Sequence, residues 1–532
     1  MSTKAAGPLL AGALVLAASS ARGDTSPPAP SGSESPTSPD GAAVAPPSAP
    51  MPAAVGTGAA TAETSGPPPQ SPTEHAPAHE PPVSLATRHE EAAAAPSSWF
   101  ARPPLAVSAG QGDSRWQLTL YGFVEADAIN DSTRSYSDSI GNALVARDET
   151  YAGRVGRTQF SIRNTRLGLA LESPLIGGVK PSAIVETDFF GNQPPDISRA
   201  AYFDSPSLRL RQAYLKLEDD VVDVWVGQTY YLFGWQNYFF PASLEFLGLP
   251  NQAFGRTMQV RLGHTLKTDA VNVDVAVAAV SPAQVDSEVP DGNAGLRLSF
   301  NNWKGMSTPG NGGTTALPLS IGISGTARQF KVAAFAPPPT QRSNSATGWG
   351  LSIDALVPII PARDAGDRGN RLTLTGSFVV GTGIGDLVNA EGGASFPTLP
   401  NPALANPPPL YTPNIDDGIV TFDSTGVLHT IDWQTFMIGL QYYLPPRGRV
   451  ILSANVTEGY SKNMAQLFPR GGSEIELLSR VAKLSRYADA NVFWDVTPAV
   501  RVGASFQYTT TEYVDGEIPR NLRTMAQALY FF

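Results

Sequence analysis

The chain has no cysteine in 532 residues, which excludes a disulfide framework and thiolate metal ligation. Charge is sparse: 16% of residues are Asp, Glu, Lys or Arg, and five are His. The formal net charge is −10, the opposite of the basic footprint that nucleic-acid binding needs. After the N-terminus no apolar run approaches the roughly 20 residues of a spanning helix. Mean hydropathy is −0.11, too polar for a bundle of membrane helices. A transmembrane barrel escapes this exclusion, because half of each of its strands faces water. No phosphate loop, dinucleotide fingerprint or zinc spacing occurs. Beyond residue 115 only His264 and His429 remain, and neither sits in a nucleophile arrangement. No enzyme activity, cofactor or metal is expected. Asp127, Asn130 and Asp131 are donors of the type calcium takes, but they read as ordinary solvated loop residues.

Residues 1–23 have the pattern of a signal peptide: Lys4, a short apolar core from Leu9 to Ala18, and small residues around Ala21. Residues 24–110 are rich in Pro, Ala, Ser, Thr and Gly, with runs such as Pro67-Pro68-Pro69. Such a segment cannot bury enough apolar surface to offset the entropy of ordering. It is expected to be a disordered periplasmic spacer, either a passive tether or an arm that reaches the cell wall.

From residue 115 to 532 the period becomes two. Trp116 to Ile129 alternates apolar and polar side chains, as a half-solvated strand does. Further strands are expected at 157–172, 179–190, 207–218, 222–231, 256–266, 270–280, 293–300, 318–326, 347–356, 371–381, 430–443, 448–458, 487–495, 499–511 and 521–532. Short connections alternate with long ones, the habit of outer-membrane barrels; the turns at 300–318 and 356–371 are longer than that habit wants. The chain ends on a strand with one small or apolar face (Leu522, Thr524, Ala526, Ala528, Tyr530, Phe532) and a partly polar one (Asn521, Arg523, Gln527). A barrel closes by pairing its first and last strands, because an unpaired edge in lipid is costly. The fold class expected is therefore all-β: a transmembrane antiparallel up-and-down β-barrel of about 16 strands, preceded by a disordered Pro/Ala-rich segment. Aromatics at strand ends (Trp116, Tyr121, Trp225, Tyr230, Tyr231, Trp433, Tyr442, Tyr443, Phe493, Trp494, Tyr530) would form the interfacial girdles.

A charge in mid-strand reports the wet lumen, since on the lipid face it costs about 2–4 kcal/mol. By this test Arg163, Arg166, Glu186, Asp188, Arg209, Arg211, Arg256, Gln259 and Arg261 line the pore. Arg163 has the opposite parity from Arg166, so a bulge or strand end separates them. Guanidinium groups suit carboxylate solutes, which they bind bidentately; equally, these charges can neutralise one another and brace the wall. The aromatic segment Tyr230 to Leu249 must pack somewhere. Folding inward to narrow the pore is expected, with burial between subunits as the alternative.

Taken together, Leu120 to Asp131, Arg166-Leu-Gly168, Glu186 to Gly191, Arg209 to Tyr214, Gly227-Gln-Thr229 and Arg256 to Arg261 resemble the DcaP-like trimeric porins of Gram-negative outer membranes. The resemblance covers most of 116–266. It implies a barrel of sixteen strands, three per assembly, that passes small anionic solutes such as dicarboxylates along lumen arginines; Arg166, Arg211 and Arg261 match by position. One departure is the N-terminus, Pro/Ala-rich here where that family often has a helical extension. The expected partners are small anionic solutes, outer-membrane lipid, two further copies in a homotrimer and the cell wall. The function expected is a passive, anion-preferring porin, with a general non-selective porin or a cell-wall-tethered envelope anchor as alternatives.

Overall fold

The computed structural model describes residues 105–532 apart from 142–143, 192–205, 237, 246, 308–314, 334–342, 363–367, 390–418, 423–426 and 468–480. The expected signal peptide and nearly all of the spacer lie outside the described residues.

Sixteen wall strands close on one another. They are β1 (Trp116–Asp131), β2 in two pieces (Arg157–Ser161 and Arg166–Glu172), β3 (Lys180–Asp188), β4 (Arg209–Glu218), β5 (Asp223–Tyr230), β6 (Arg256–Lys267), β7 (Val271–Val280) and β8 (Asp291–Ser307). The second half is β9 (Thr315–Ala333), β10 (Ser343–Ile360), β11 (Arg371–Thr382), β12 (Asp432–Tyr443), β13 (Val450–Ser461), β14 (Ala482–Asp495), β15 (Val500–Tyr513) and β16 (Arg520–Phe531). Each pairs antiparallel with its sequence neighbour, and β16 pairs with β1 from Phe123↔Phe531 to Asp131↔Arg523. A short leading strand, Leu105–Ala109, pairs with Trp116 to Leu120 and covers the length of β1 that β16 does not reach. The pairing of β16 with β1 closes the seam whose backbone lipid would otherwise desolvate.

The side-chain pattern is inverted relative to a soluble domain. On β6, Val260 is 44% exposed and the adjacent Gln259 2%. Val185, Met258, Val277, Ile323, Ile438 and Val456 point outward; Glu186, Arg297, Thr435 and Asn455 point inward and are buried. An apolar outside and a polar inside suit a cylinder in a bilayer, not one in water.

Three expectations are corrected here. The turns at 300–318 and 356–371 are shorter than the sequence suggested, because β8 and β9 run to Ser307 and from Thr315, and β10 to Ile360. Their polar ends stay in the ladder through a register shift between Phe300 and Lys304. Secondly, Asp127, Asn130 and Asp131 are in β1, not in a loop, and both aspartates are buried. Thirdly, most of the presumed girdle aromatics face inward. Tyr121, Trp225, Tyr230, Trp433, Tyr443 and Phe493 are buried, and of the expected set Trp116, Trp494 and Tyr530 are outward and exposed. Exposed aromatics instead include Phe160, Trp303, Trp349, Tyr460 and Phe506. Position near a strand end did not reveal which face a ring takes.

The connection 231–255 folds into the barrel, as its aromatic content requires. Leu232, Phe233, Trp235 and Phe239 pack with Ala276, Val379 and Trp433. Further along, Ala242 and Leu244 join Ile129, Ile451, Phe493 and Met525. Its backbone is tied across the bore: Gly234 N donates to Ser324 Oγ at 2.7 Å, and Ser453 Oγ and Asn455 Nδ2 donate to Ala242 O at 2.8 and 2.9 Å. Inner-wall glycines make room for it. A Cβ on Gly322 would stand 2.8 Å from Trp235, and one on Gly439 2.7 Å from Pro241.

Candidate functional site

The inner faces of β2 to β6 carry the charged group expected from the sequence. Glu186 and Asp188, two apart on β3, share a face. Opposite them β4 has a bulge: Glu186 pairs with Gln212 and Thr187 with Leu210, so Arg211 is the extra residue. Gln212 and Arg211 both reach Glu186 Oε1, at 3.4 and 2.7 Å. A bulge re-aims a side chain in this way without ending the strand.

Arg211 is the hub. Its Nε donates to Glu186 Oε1 at 2.7 Å, its Nη1 to Asp188 Oδ2 at 2.8 Å and its Nη2 to the Tyr230 phenol at 3.0 Å. Arg209 grips Asp188 bidentately, Nε to Oδ1 at 2.9 Å and Nη2 to Oδ2 at 2.6 Å. Tyr121 donates to Glu186 Oε2 at 3.3 Å. Both carboxylates are therefore answered by arginines of the neighbouring strand.

Three more guanidinium groups are not so answered. Arg166 comes only to 3.9 Å of Glu186, its Nε buried without a hydrogen bond and its head over the Phe123 ring at 5.1 Å. Arg256 donates to the Tyr230 phenol at 3.2 Å and lies over the Tyr230 and Phe254 rings at 5.1 and 5.4 Å. Arg261 donates to Tyr230 O at 2.6 Å and to Gln259 Oε1 at 2.9 Å, over the Trp225 ring at 5.5 Å. Arg256 and Arg261 make no ion pair among the described residues. The site thus holds Arg166, Arg209, Arg211, Arg256 and Arg261 against Glu186 and Asp188. Phe240 and Phe254, from the inserted connection, pack on Tyr230 with ring centroids at 5.7 and 6.0 Å and roof the site.

Arg163 stands apart. β2 breaks between Ser161 and Arg166, as the parity conflict required, and Arg163 turns to Asp138 at 2.8 Å and the Phe190 ring at 4.6 Å. Phe190 also lies under Arg209, at 5.2 Å. Tyr121, Gln212, Tyr230 and Asp138 belong to the site or its rim but were not predicted for it. Tyr121 and Tyr230 were visible only as strand aromatics, and Gln212 was hidden by the bulge.

The sequence matches no protein-family model and no curated protein. Solved structures do match. The outer-membrane channel DcaP of Acinetobacter baumannii aligns with a TM-score of 0.54 at 17% identity, over 80% of this chain and 100% of that one. The fold is that of the DcaP channel. More distant neighbours are the anion-selective porin from Comamonas acidovorans, with a TM-score of 0.44 at 10% identity over 78% and 100% of the chains, and OmpT of Vibrio cholerae in its trimer form, 0.43 at 11% over 78% and 99%.

Proposed function

We propose that the protein is a passive outer-membrane channel for small anions of the carboxylate type. The observation that carries this reading is the imbalance in the site on β2 to β6: Arg166, Arg256 and Arg261 lack a close carboxylate, while Glu186 and Asp188 are already engaged by Arg209 and Arg211. Surplus guanidinium groups in a confined lumen offer bidentate hydrogen bonds and charge to a passing carboxylate. The protein has no catalytic role in this reading. It acts as a homotrimer in outer-membrane lipid, with residues 24–104 as a periplasmic spacer, near the cell wall, behind a signal peptide of residues 1–23; Leu105–Ala109, expected in the spacer, belongs to the sheet instead. A second reading, a general porin, draws support from the Arg209–Asp188 and Arg211–Glu186 pairs, which cancel charge.

The experiment is single-channel recording of the purified protein with a dicarboxylate such as succinate added to chloride. The anion-channel reading expects succinate to interrupt the chloride current, and expects Arg256→Ala with Arg261→Ala to abolish the interruptions. A current indifferent to succinate in both proteins leaves the general porin standing and overturns the anion site.

A further inference from the structure

The inner wall carries a second polar site of opposite sign. Glu125 and Asp127 are two apart on β1 and share its inner face, 0% and 3% exposed. Neither makes an ion pair with a described residue, and Arg166 acts on Glu125 only from a distance. Glu125 accepts from Asn164 Nδ2 at 2.8 Å and from Gln527 Nε2 at 2.7 Å. Both carboxylate oxygens of Asp127, and Asn164 Oδ1, are buried with no hydrogen-bond partner. Two adjacent buried carboxylates without a counter-charge are strongly disfavoured, so the pair takes up either a proton or a cation.

The wall is built to bring these groups together. β2 leaves the ladder at Ile162 and returns at Arg166. The excursion is held by Thr165 N donating to Ile162 O at 3.0 Å, and by Glu125 N donating to Thr165 Oγ1 at 3.1 Å. It carries Asn164 inward against Glu125. From the other side, β16 supplies Gln527, directly opposite Asp127 in the register.

We propose that Glu125, Asp127, Asn164 and Gln527 form a lumen-wall site for a hard divalent cation of the calcium class. The donors are carboxylate and amide oxygens, which suit calcium; no imidazole or thiolate is present to favour a softer metal. No group of three or more His, Asp or Glu forms a metal site among the described residues, so the two amides complete the donor set. Each turns an oxygen to the cation by a half-rotation of its planar group, which exchanges N for O at the same place. The bound ion cancels two negative charges on the wall. In a channel that conducts anions, an occupied site therefore raises anion preference; this consequence rests on the function proposed above, whereas binding does not.

The test is equilibrium dialysis of the chelator-stripped, detergent-solubilised full chain against radioactive calcium. The wild type is expected to bind one ion per chain with a Kd of about 10⁻⁴–10⁻³ M, as sites with few charged ligands do. Glu125→Gln with Asp127→Asn keeps the shape, removes the charge, and weakens binding at least about tenfold. Asn164→Asp adds a third carboxylate and tightens binding about tenfold, so it decides the matter even if the double variant fails to fold. No calcium bound by the wild type at about 10 mM, well above that range, would overturn the site. So would affinities unchanged in these variants; the carboxylates then share a proton instead.

Discussion

Arg211 and Arg256 donate to the same atom, the phenol oxygen of Tyr230, at 3.0 and 3.2 Å. Tyr230 ends β5 at the root of the inserted connection, so its hydroxyl stands where two cations converge. A carboxylate oxygen reaching the site would compete for these donors. Tyr230→Phe should free them. The expected cost is about 1–3 kcal/mol of barrel stability, from buried donors left unsatisfied. The expected gain is longer succinate interruptions of chloride current, by about three- to tenfold for one freed charged hydrogen bond. Unfolding midpoints and dwell times check both.

The two arginines differ in what they leave behind. Arg211→Ala strands Glu186, buried at 2% exposure, and leaves Asp188 to Arg209 alone; it should destabilise the barrel by about 3–5 kcal/mol, the range for breaking a buried pair. Arg256→Ala leaves no carboxylate without its partner. It should shift ion preference toward cations while the denaturant midpoint hardly moves. Equal loss of stability in the two variants would show Arg256 to be a bracing residue.

The inserted connection should control how wide the pore is. Gly322 faces Trp235 so closely that a Cβ would stand 2.8 Å from Cδ1. Gly322→Val should displace this docked segment, at about 1–3 kcal/mol for overpacking, and raise single-channel conductance. Gly325, one outward position further along β9, has only a backbone oxygen at 3.5 Å; Gly325→Ala should leave conductance as it is.

The wall was legible in the sequence and the site only partly. Period-two alternation located each of the sixteen wall strands, because a cylinder between lipid and water imposes it on every segment; it missed the short leading strand Leu105–Ala109, which was assigned to the spacer. The terminal strand named its own partner: Arg523, Gln527 and Phe531 face inward, against Asp131, Asp127 and Phe123 of β1. Parity placed Arg166, Glu186, Asp188, Arg209 and Arg261 inside, and the Arg163 conflict marked the break in β2. What parity cannot carry is pairing between strands. It did not show that Arg209 and Arg211 are engaged by β3, nor that the bulge at Arg211 turns Gln212 inward as well. Aromatic faces were misassigned where ring and strand end coincided, as at Trp225 and Tyr443, because the lumen here is filled by a connection rich in rings.

Glu245, on that connection, gives the docked segment a pH dependence. Burial pushes its carboxyl up from 4.5 to about 7, against the lowering effect of Arg523 at 3.8 Å and the donors Ser139 Oγ at 2.5 Å and Ile140 N at 3.2 Å, with Asp138 adding to the rise. A carboxyl with a raised pKa in the fold favours folding below its unfolded value, and that advantage is lost as pH climbs toward about 7. The docked segment should therefore be held best in acid and loosen above neutrality. Channel noise and conductance should rise between about pH 5 and about pH 8, the span across which such a group titrates. Glu245→Gln should make both flat over that span.

The central claim is that surplus guanidinium groups give this barrel a preference for anions. The zero-current potential across a planar bilayer, with potassium chloride more concentrated on one side, tests it most directly. The account predicts a potential of the sign set by chloride, reduced in Arg256→Ala with Arg261→Ala. A potential of the sign set by potassium in the wild-type protein would contradict it.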